Sequence, residues 1–316
     1  MIRLGVATRI LGRDGLRARD GRRAEHAPHL SVSLLLVREV LLYLAERAIG
    51  YYRLAGDLAP YLADPRRPAF ARQVTECAEL LAETGALARK QRIRLTMHAP
   101  MHVALAASDE QVAARSAAEV VARAALLDAL GLGPEAVLVL HVGGAHGDRA
   151  AALFRFAARY ERLPEPARRR VAVEHDEDSF ALADLLRLHQ ITGAPVVLDT
   201  LHHQIYDPQR IPLAQALGLA LATWPRGVRA EVHFASQRTE AHLLPPRHGH
   251  ARQVLAPALG QHADYVNAIE FAAFAGGARG LPPFDVMLEA KAADLALLRL
   301  REDLRRVAPE LVPLVA

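Results

Sequence analysis

Several residue types are nearly missing from the sequence, and each shortage narrows what the protein can be. Cys77 is the only cysteine among 316 residues, so an internal disulfide is excluded and a reducing, cytoplasmic compartment is expected. Lysine occurs only as Lys90 and Lys291, so arginine supplies nearly all the positive charge. Aromatic residues make up 5% of the chain and hydrophobic residues 52%. Ala, Val and Leu must therefore build the core, which favours helices packed on buried strands.

Long charge-free hydrophobic runs are also missing. The most apolar stretch near the N-terminus, residues 34–49, contains two arginines and two glutamates, which is typical of an amphipathic helix rather than a membrane span. Residues 1–5 enter a predicted strand without a signal-peptide pattern, so we expect no membrane association. The net charge of +4 is mild. The arginine surplus fits either a GC-rich coding sequence or bidentate contacts to phosphate.

Eight short segments rich in Val, Ile and Leu alternate with stretches of helical periodicity. Such alternation is typical of parallel βαβ units that close into a barrel. We therefore predict an α/β fold, a single (β/α)8 TIM barrel that forms one domain over residues 1–316 of a monomer. The predicted strands are residues 2–7, 50–55, 93–98, 136–142, 170–175, 195–200, 229–235 and 284–290.

Two polar connections are predicted to lie over the mouth formed by the carboxyl ends of the strands. Residues 12–29 follow the first strand and contain five arginines, and residues 236–252 follow the seventh and are rich in Pro and His. TIM barrels place their chemistry at this end, on the loops that follow the strands. A helix-bearing connection is then expected to lead to the eighth strand.

Metal-ligand side chains stand at or near the ends of the last six predicted strands. Burying one carboxylate costs on the order of a few kcal/mol unless it is paired or coordinated. The convergence of several acids on one mouth therefore indicates bound cations. Imidazole together with carboxylate suits zinc or manganese, and no cysteine-rich site accompanies them. The candidate ligands are His98, His141, Glu174, Asp199, His202, His233 and Glu289.

Some of these residues also have an ordinary structural interpretation. Asp199 can cap the helix that follows it, with His202 and His203 on a solvated loop. The Gly143-Gly144 pair after the fourth strand fits a plain strand-to-helix turn as well as a close approach of a ligand. Recurrence of the pattern around the barrel favours the metal site.

The pair His248 and His250 lies on the long loop after the seventh strand. A solvated histidine cluster is one interpretation, because Pro245 and Pro246 mark a loop just before it. With imidazole and carboxylate ligands already expected at the mouth, we predict instead that the pair reaches down to the metals.

Longer motifs around these positions resemble the UV damage endonucleases, the UvdE family. The similarity covers nearly the whole chain in the family's order, and the last three motifs are long and specific. The motifs are IRLG at 2–5, YYRL at 51–54, TMH at 96–98, LHVGG at 140–144, VEHDE at 173–177, LDTLHH at 198–203, VHFASQ at 232–237 and VMLEAK at 286–291.

The resemblance implies a TIM barrel with two or three divalent metals, most often Mn²⁺, with Zn²⁺ or Mg²⁺ as alternatives. It implies a DNA repair endonuclease that nicks lesion-bearing double-stranded DNA immediately 5′ of a photoproduct. A water activated by the cations would attack phosphorus. Arginines on the mouth loops would contact backbone phosphates, and these are Arg13, Arg17, Arg19, Arg22, Arg23, Arg238 and Arg247.

The resemblance also assigns ligands residue by residue. His98, His141 and Glu174 would hold the first metal. Glu174 would bridge to a second metal held by the acids and imidazole of three further strands, namely Asp199, His233 and Glu289. A third metal would be held by His202 and His250, with His248 as a further candidate.

Three catalytic residues are implied as well, and Glu174 is the first of them. Glu231 is predicted to ligate the third metal or act as a base, with a salt-bridged strand residue as the alternative. Lys291 would face a phosphate or the acids of the site.

The chain departs from the family pattern where family members contact the lesion. Family members tend to carry Tyr and Asn near the end of the first strand, a Pro-Gly-Gln-aromatic run after the third, a histidine after the second, and a lysine two residues before the seventh-strand histidine. Another residue stands at each of these places, and a loop residue such as Tyr206 could substitute for the missing probe. The replacements are Val6, Ile10, Ala99–Pro100–Met101–His102, Asp64 and Glu231.

These departures keep two rival functions open. One is a xylose-isomerase-like sugar isomerase or epimerase, which uses one or two metals in the same barrel and has no need of His248 and His250. The other is a retargeted paralogue that binds a different nucleic acid or a small phosphorylated ligand.

Overall fold

Eight parallel strands close into a barrel in this computed structural model, which describes residues 1–16, 27–145, 147–244 and 253–315. The order around the barrel is β1-β10-β7-β6-β5-β4-β3-β2, and a separate two-stranded sheet pairs β8 with β9. The predicted TIM barrel is confirmed. The strands are β1 Ile2–Ala7, β2 Tyr51–Leu54, β3 Arg94–His98, β4 Leu138–His141, β5 Val171–Glu174, β6 Val196–Asp199, β7 Ala230–Phe234, β8 His242–Leu244, β9 Gln253–Leu255 and β10 Phe284–Leu288.

Helices fill most of the connections between the barrel strands. A short 3-10 helix, Pro309–Leu314, ends the described chain. The α-helices are α1 Leu30–Glu46, α2 Pro68–Glu76, α3 Ala78–Lys90, α4 Glu110–Ala129, α5 Arg149–Arg162, α6 Glu165–Arg168, α7 Leu182–Thr192, α8 Thr200–Ile205, α9 Leu213–Ala222, α10 Ala268–Gly277 and α11 Ala293–Val307. Among the described residues no helix combines the length and the apolar character that a membrane crossing requires.

Strand β1 closes the barrel by pairing on both sides. Ile2 lies opposite Phe284 of β10, and Val6 lies opposite Tyr52 of β2. Each of the eight predicted strands is present, although most are shorter than predicted because their ends turn into loops. Residues two apart on a strand share a face, so each strand sends alternate side chains inward, and the last of them reach the mouth.

Side-chain caps set where two helices begin. The Asp109 carboxylate accepts the backbone N–H groups of Gln111 and Val112, and α4 starts immediately after it. The Asp176 carboxylate accepts the N–H groups of residues 178, 179 and 180, which holds a turn there and delays α7 to Leu182.

The predicted loop over residues 236–252 contains β8, the first strand of a small hairpin. His242 of β8 pairs antiparallel with Leu255 of β9. Three-residue strands are too short to show the period-2 alternation that reveals strands in a sequence, so the prediction of plain loop was wrong here. Leu243 and Val254 are exposed on the hairpin. Residues 245–252 lie outside the described residues, as do residues 17–26 of the other predicted mouth loop.

A buried charged layer fills the barrel below its mouth. The fully buried carboxylate of Asp285 accepts hydrogen bonds from Arg3, Arg94 and Arg229, which come from three other strands or strand edges. Charge-assisted bonds of this kind compensate the cost of burying the acid. The layer forms a floor, so the polar groups above it are reached from the mouth.

We predict that Gly85→Ala in α3 destabilises the protein, although alanine normally stabilises a helix interior by about 0.5–1 kcal/mol over glycine. A Cβ at Gly85 would lie 1.7 Å from the Leu130 carbonyl oxygen, a backbone atom at the end of α4. Gly276→Ala in α10 is the control, because its Cβ would meet nothing within 4 Å. Urea denaturation should give a lower midpoint for Gly85→Ala and an equal or higher one for Gly276→Ala; a raised midpoint for both would contradict the packing described here.

Candidate metal centre

Imidazole and carboxylate groups from neighbouring strands meet at the mouth of the barrel. His98, His141, Glu174 and Asp199 are the last residues of β3, β4, β5 and β6. Glu289 follows β10, and its N–H donates to the Phe234 carbonyl of β7. Because the carboxyl ends of parallel strands meet at one edge of the barrel, these side chains share one space.

Glu174 is the centre of the cluster. Its Oε2 lies 2.8 Å from His98 Nε2 and 3.7 Å from His141 Nε2. His98 and His141 each keep the other ring nitrogen near a backbone carbonyl, at 2.7 Å and 3.2 Å. These second contacts orient the rings so that their Nε2 atoms face Glu174.

The other oxygen of Glu174 faces a second group. Its Oε1 lies 2.9 Å from His233 Nδ1, and His233 Nδ1 is also 3.6 Å from Glu289 Oε1. Within Glu174, Asp199 and His233, one ligand atom of each residue lies within 4.8 Å of the others, and the same holds within His98, His141 and Glu174. The two triads share Glu174. The first has the members of the first predicted ligand set, and the second has three of the four members of the second set, without Glu289.

Asp199 combines two roles that the sequence presented as alternatives. Its Oδ1 accepts the N–H groups of Leu201 and His202, so it does cap α8. Its Oδ2 is buried and has no hydrogen-bond partner among the described residues. His202 and His203 are buried rather than solvated, which excludes the loop interpretation. One oxygen of Asp199 thus holds the helix while the other remains for a cation.

The backbone of Asp199 is also held. Its N–H donates to Nε2 of His175, 3.1 Å away, and His175 is fully buried. Burial, followed by the neighbouring His202, lowers the pKa of His175 to about 3. His175 is therefore neutral and acts as an acceptor beneath the ligands.

Mutual charge stabilises the central pair of the cluster. Burial alone would raise the pKa of Glu174, but the imidazoles of His233 and His141 outweigh it and hold that pKa well below its usual range. Burial would lower the pKa of His233, yet Glu174 and Glu289 raise it well above its usual range. Glu174 is ionised and His233 protonated in the protein without metal, and a bound cation would take the place of that proton.

His202 lies on the outer side of Glu174. Its Nδ1 is 3.5 Å from Glu174 Oε1, and its Nε2 is 3.5 Å from Glu177 Oε2. Burial opposes the charged ring, but Asp199, Glu174 and Glu177 raise the pKa of His202 to about 9. Glu177 was not predicted as a site residue, because the loop that carries it shows no periodic pattern.

Two further neighbours were missed by sequence reasoning. The guanidinium of Arg53, from β2, hydrogen-bonds Glu289 Oε1, and His262 Nδ1 lies 3.7 Å from Glu289 Oε2. Burial would raise the pKa of Glu289, but Arg53 and then His233 lower it to about 2. Tyr51 and Arg53 are two residues apart on β2 and so share its inner face, and this alternation could have identified Arg53. His262 lies in a loop without such a signal.

Glu231 lies beneath His233 rather than beside the other acids. It is fully buried, and its Oε1 is 3.1 Å from His233 Nε2. Arg94 is 3.6 Å from its other oxygen and connects it to the charged floor through Asp285. Lys291 is exposed two residues after Glu289, and its N–H donates to the Ala263 carbonyl.

The other predicted residues are either outside the described residues or away from this cluster. His248 and His250, which were predicted to hold a third metal together with His202, lie outside the described residues, as do Arg17, Arg19, Arg22, Arg23 and Arg247. Arg13 is half-exposed and forms an ion pair with Glu39 at 3.7 Å. Arg238 forms an ion pair with Asp264 at 2.9 Å.

The positions that depart from the family pattern fall into two groups. Val6 and Ile10 are buried in the core, and Asp64 pairs with Arg66 on its own turn at 3.0 Å. Met101 is 76% exposed and His102 is exposed beside it. Met101 and His102 are therefore accessible to a large substrate.

The donor set fits divalent cations. Histidine nitrogens and carboxylate oxygens are the ligands that Zn²⁺ and Mn²⁺ accept, and the described cluster offers them in two triads with one shared acid. Asp199 Oδ2 is buried and has no hydrogen-bond partner within the described ranges, and such an orphaned acceptor is costly unless something binds it. In the bend between β4 and α5, Gly143 has φ +97° and a Cβ there would lie only 2.7 Å from that of Ala104, so this turn requires glycine.

Comparison with known proteins agrees with the motifs. The profile of the family described as UV-endonuclease UvdE matches residues 22–312. The UV DNA damage endonuclease of Bacillus velezensis is 28% identical over 267 residues, which is 84% of this chain and 78% of that protein. A protein of Acanthamoeba polyphaga mimivirus, provisionally described as a UV-damage endonuclease, is 31% identical over 202 residues, 63% of this chain and 61% of its own length.

Solved structures agree on the fold. The crystal structure of SacUVDE superposes with a TM-score of 0.81 at 24% identity, covering 97% of this chain and 99% of that one. The apo 3-keto-D-glucoside 4-epimerase YcjR of E. coli superposes less well, with a TM-score of 0.57 at 12% identity, covering 97% and 98%. At these identities both similarities concern the fold alone.

We predict that His202 makes the stability of the metal-free protein depend on pH. Its folded pKa of about 9 lies above the ordinary 6.5, so its contribution is complete below about pH 6.5 and is lost as the pH rises through about 9. Chelator-treated wild type and His202→Gln should therefore differ in unfolding free energy by about 3 kcal/mol more near pH 6 than near pH 10. Urea denaturation of both proteins measures this, and an unchanged difference would contradict the charged environment of His202.

Proposed function

Because the chain belongs to the UV-endonuclease UvdE family, we propose that it is a metal-dependent DNA repair endonuclease that cleaves the phosphodiester 5′ of UV photoproducts in double-stranded DNA. The observation that carries this proposal is the pair of ligand triads joined at Glu174. Two triads that share one acid would hold two cations, and such a pair would supply the chemistry for in-line displacement at phosphorus.

His98, His141 and Glu174 would hold one cation. Glu174 would hold a second cation together with Asp199, His233 and Glu289. Mn²⁺ is the proposed ion, with Zn²⁺ or Mg²⁺ as alternatives, because nitrogen and oxygen donors are mixed. When bound, such cations supply a nucleophile from water at neutral pH and neutralise charge on the phosphate oxygens.

Glu231 and His202 have defined tasks in this proposal. Glu231 accepts the Nε2 proton of His233 and so fixes the tautomer whose Nδ1 faces Glu174 and Glu289. His202 lies between Glu174 and Glu177, where it would serve a third cation with His250 or His248. Lys291, exposed at the mouth, would contact a backbone phosphate.

A different lesion range is supported by one specific observation. Val6 and Ile10 are enclosed in the core and would not touch DNA, whereas the exposed Met101 and His102 stand where family members carry lesion-probing residues. The probe would then be a flexible thioether beside an imidazole, which adapts to irregular surfaces better than a rigid aromatic ring. The substrate could thus be another distorted duplex.

We predict that purified protein with Mn²⁺ nicks UV-irradiated supercoiled plasmid faster than undamaged plasmid. Glu174→Gln should lower the rate by at least about 100-fold, since changes that only touch a ligand's partner already cost 10- to 100-fold. Glu302→Gln, an exposed acid on α11, is the matched control and should leave the rate unchanged. The absence of nicks with Mn²⁺, Zn²⁺ and Mg²⁺ would contradict the proposal, and equal nicking of both plasmids would point to a retargeted nuclease.

If the arginines on the mouth loops contact phosphates, the affinity for DNA should fall steeply as the salt concentration rises. Between about 50 and 200 mM salt, release of counterions from a few phosphates should weaken binding roughly 10- to 100-fold. Fluorescence anisotropy with a UV-irradiated duplex in Ca²⁺, a hard cation of different coordination preference, measures this. Binding that does not respond to salt would exclude such a DNA-binding surface.

A further inference from the structure

One cation in the metal centre belongs to the protein itself. Arg53 is the third residue of β2 and extends among the acids of the mouth, where it hydrogen-bonds Glu289 Oε1. Its side chain is 12% exposed, so it is mostly enclosed but not sealed off from solvent. The ligand sets assigned from the sequence use only acids and histidines, and they give this arginine no task.

Support of Glu289 alone does not account for Arg53. Glu289 Oε1 is also 3.6 Å from His233 Nδ1, and its Oε2 is 3.7 Å from His262 Nδ1, so two imidazoles lie close to it in addition to Arg53. The Nε of Arg53 is buried and has no hydrogen-bond partner in the part of the chain that the structure describes. An unsatisfied buried donor is costly, and a structural arginine would be expected to avoid that cost.

The charge balance of the metal-loaded site suggests a role for Arg53. Two divalent cations would carry four positive charges against the three carboxylates of Glu174, Asp199 and Glu289, while Arg94 compensates Glu231 from below at 3.6 Å. Arg53 adds a fifth positive charge, which leaves a surplus of two. A phosphodiester under attack by hydroxide carries two negative charges, so the surplus matches the group that must be stabilised.

We propose that Arg53 is a catalytic residue that binds the non-bridging oxygens of the scissile phosphate once Glu289 turns toward a cation. Guanidinium has five N–H donors in a planar fork that matches phosphate, and Glu289 uses one of them through Nη1. Arg53 thus holds Glu289 before the cation binds and the phosphate afterwards. The inference rests on the proposed function, because it assumes a metal-dependent phosphodiester hydrolase.

Binding of inorganic phosphate tests this role without depending on DNA cleavage. Calorimetry at saturating Mn²⁺ should show that Arg53→Gln weakens phosphate binding roughly 10- to 100-fold, as expected for the loss of a charge-assisted contact. Arg53→Lys keeps the charge without the fork and should lose less. Arg66→Gln is the control, since Arg66 is 84% exposed on the loop after the same strand and pairs with Asp64.

Metal affinity separates phosphate binding from mere support of Glu289. Mn²⁺ titration followed by electron paramagnetic resonance should show equal or tighter binding in Arg53→Gln, because a competitor for Glu289 has been removed. The kcat for nicking should fall in this variant with little change in KM. Phosphate affinity that stays unchanged in both Arg53 variants at saturating Mn²⁺ would overturn the role of Arg53, even if wild type nicks DNA. If the Arg53 variants bind phosphate more weakly than wild type but wild type nicks no DNA, Arg53 remains a phosphate ligand and only the proposed function is overturned.

Discussion

Compensation of buried negative charge is the constraint on which the rest of this structure depends. Glu174, Asp199 and Glu231 are almost entirely inaccessible to water, and isolated carboxylates would be very costly there. The protein surrounds them with imidazoles above and arginines below. Glu174 lies within 4 Å of His98, His141, His202 and His233. The site is therefore held together electrostatically even before any cation binds, and the barrel keeps its shape around it.

Much of the fold and of the cluster follows from local patterns in the sequence. Parallel strands buried on both faces appear as apolar runs, and their carboxyl ends must converge in a closed barrel. A polar residue such as Glu174 or Asp199 at the end of such a run therefore has a predictable neighbourhood, even though its partners are distant along the chain. Helix ends were less predictable, because a single carboxylate, that of Asp176, moves the start of α7 through its own turn.

The neighbours supplied by loops and by long side chains could not be predicted in the same way. Arg53, Glu177 and His262 contact the cluster through side-chain reach and loop conformation, which no periodicity encodes. The roles of His248 and His250 stay predictions, since both lie outside the described residues. Family resemblance supplied the order of the ligands, but it did not show that Glu231 would lie under His233, in contact with the arginine floor.

Asp199 binds the start of α8 with one oxygen and leaves the other free for a cation, which has a consequence for how the family can diverge. A lineage that abandoned the chemistry would still need a capping side chain at this position, such as Asn, Ser or Thr, to begin the helix. Asparagine retains the accepting oxygen, whereas glutamate is too long and alanine leaves the N–H groups unpaired. Few substitutions are therefore tolerated at this position. An Asp-to-Asn replacement in a descendant would mark the loss of catalysis in a barrel that still folds.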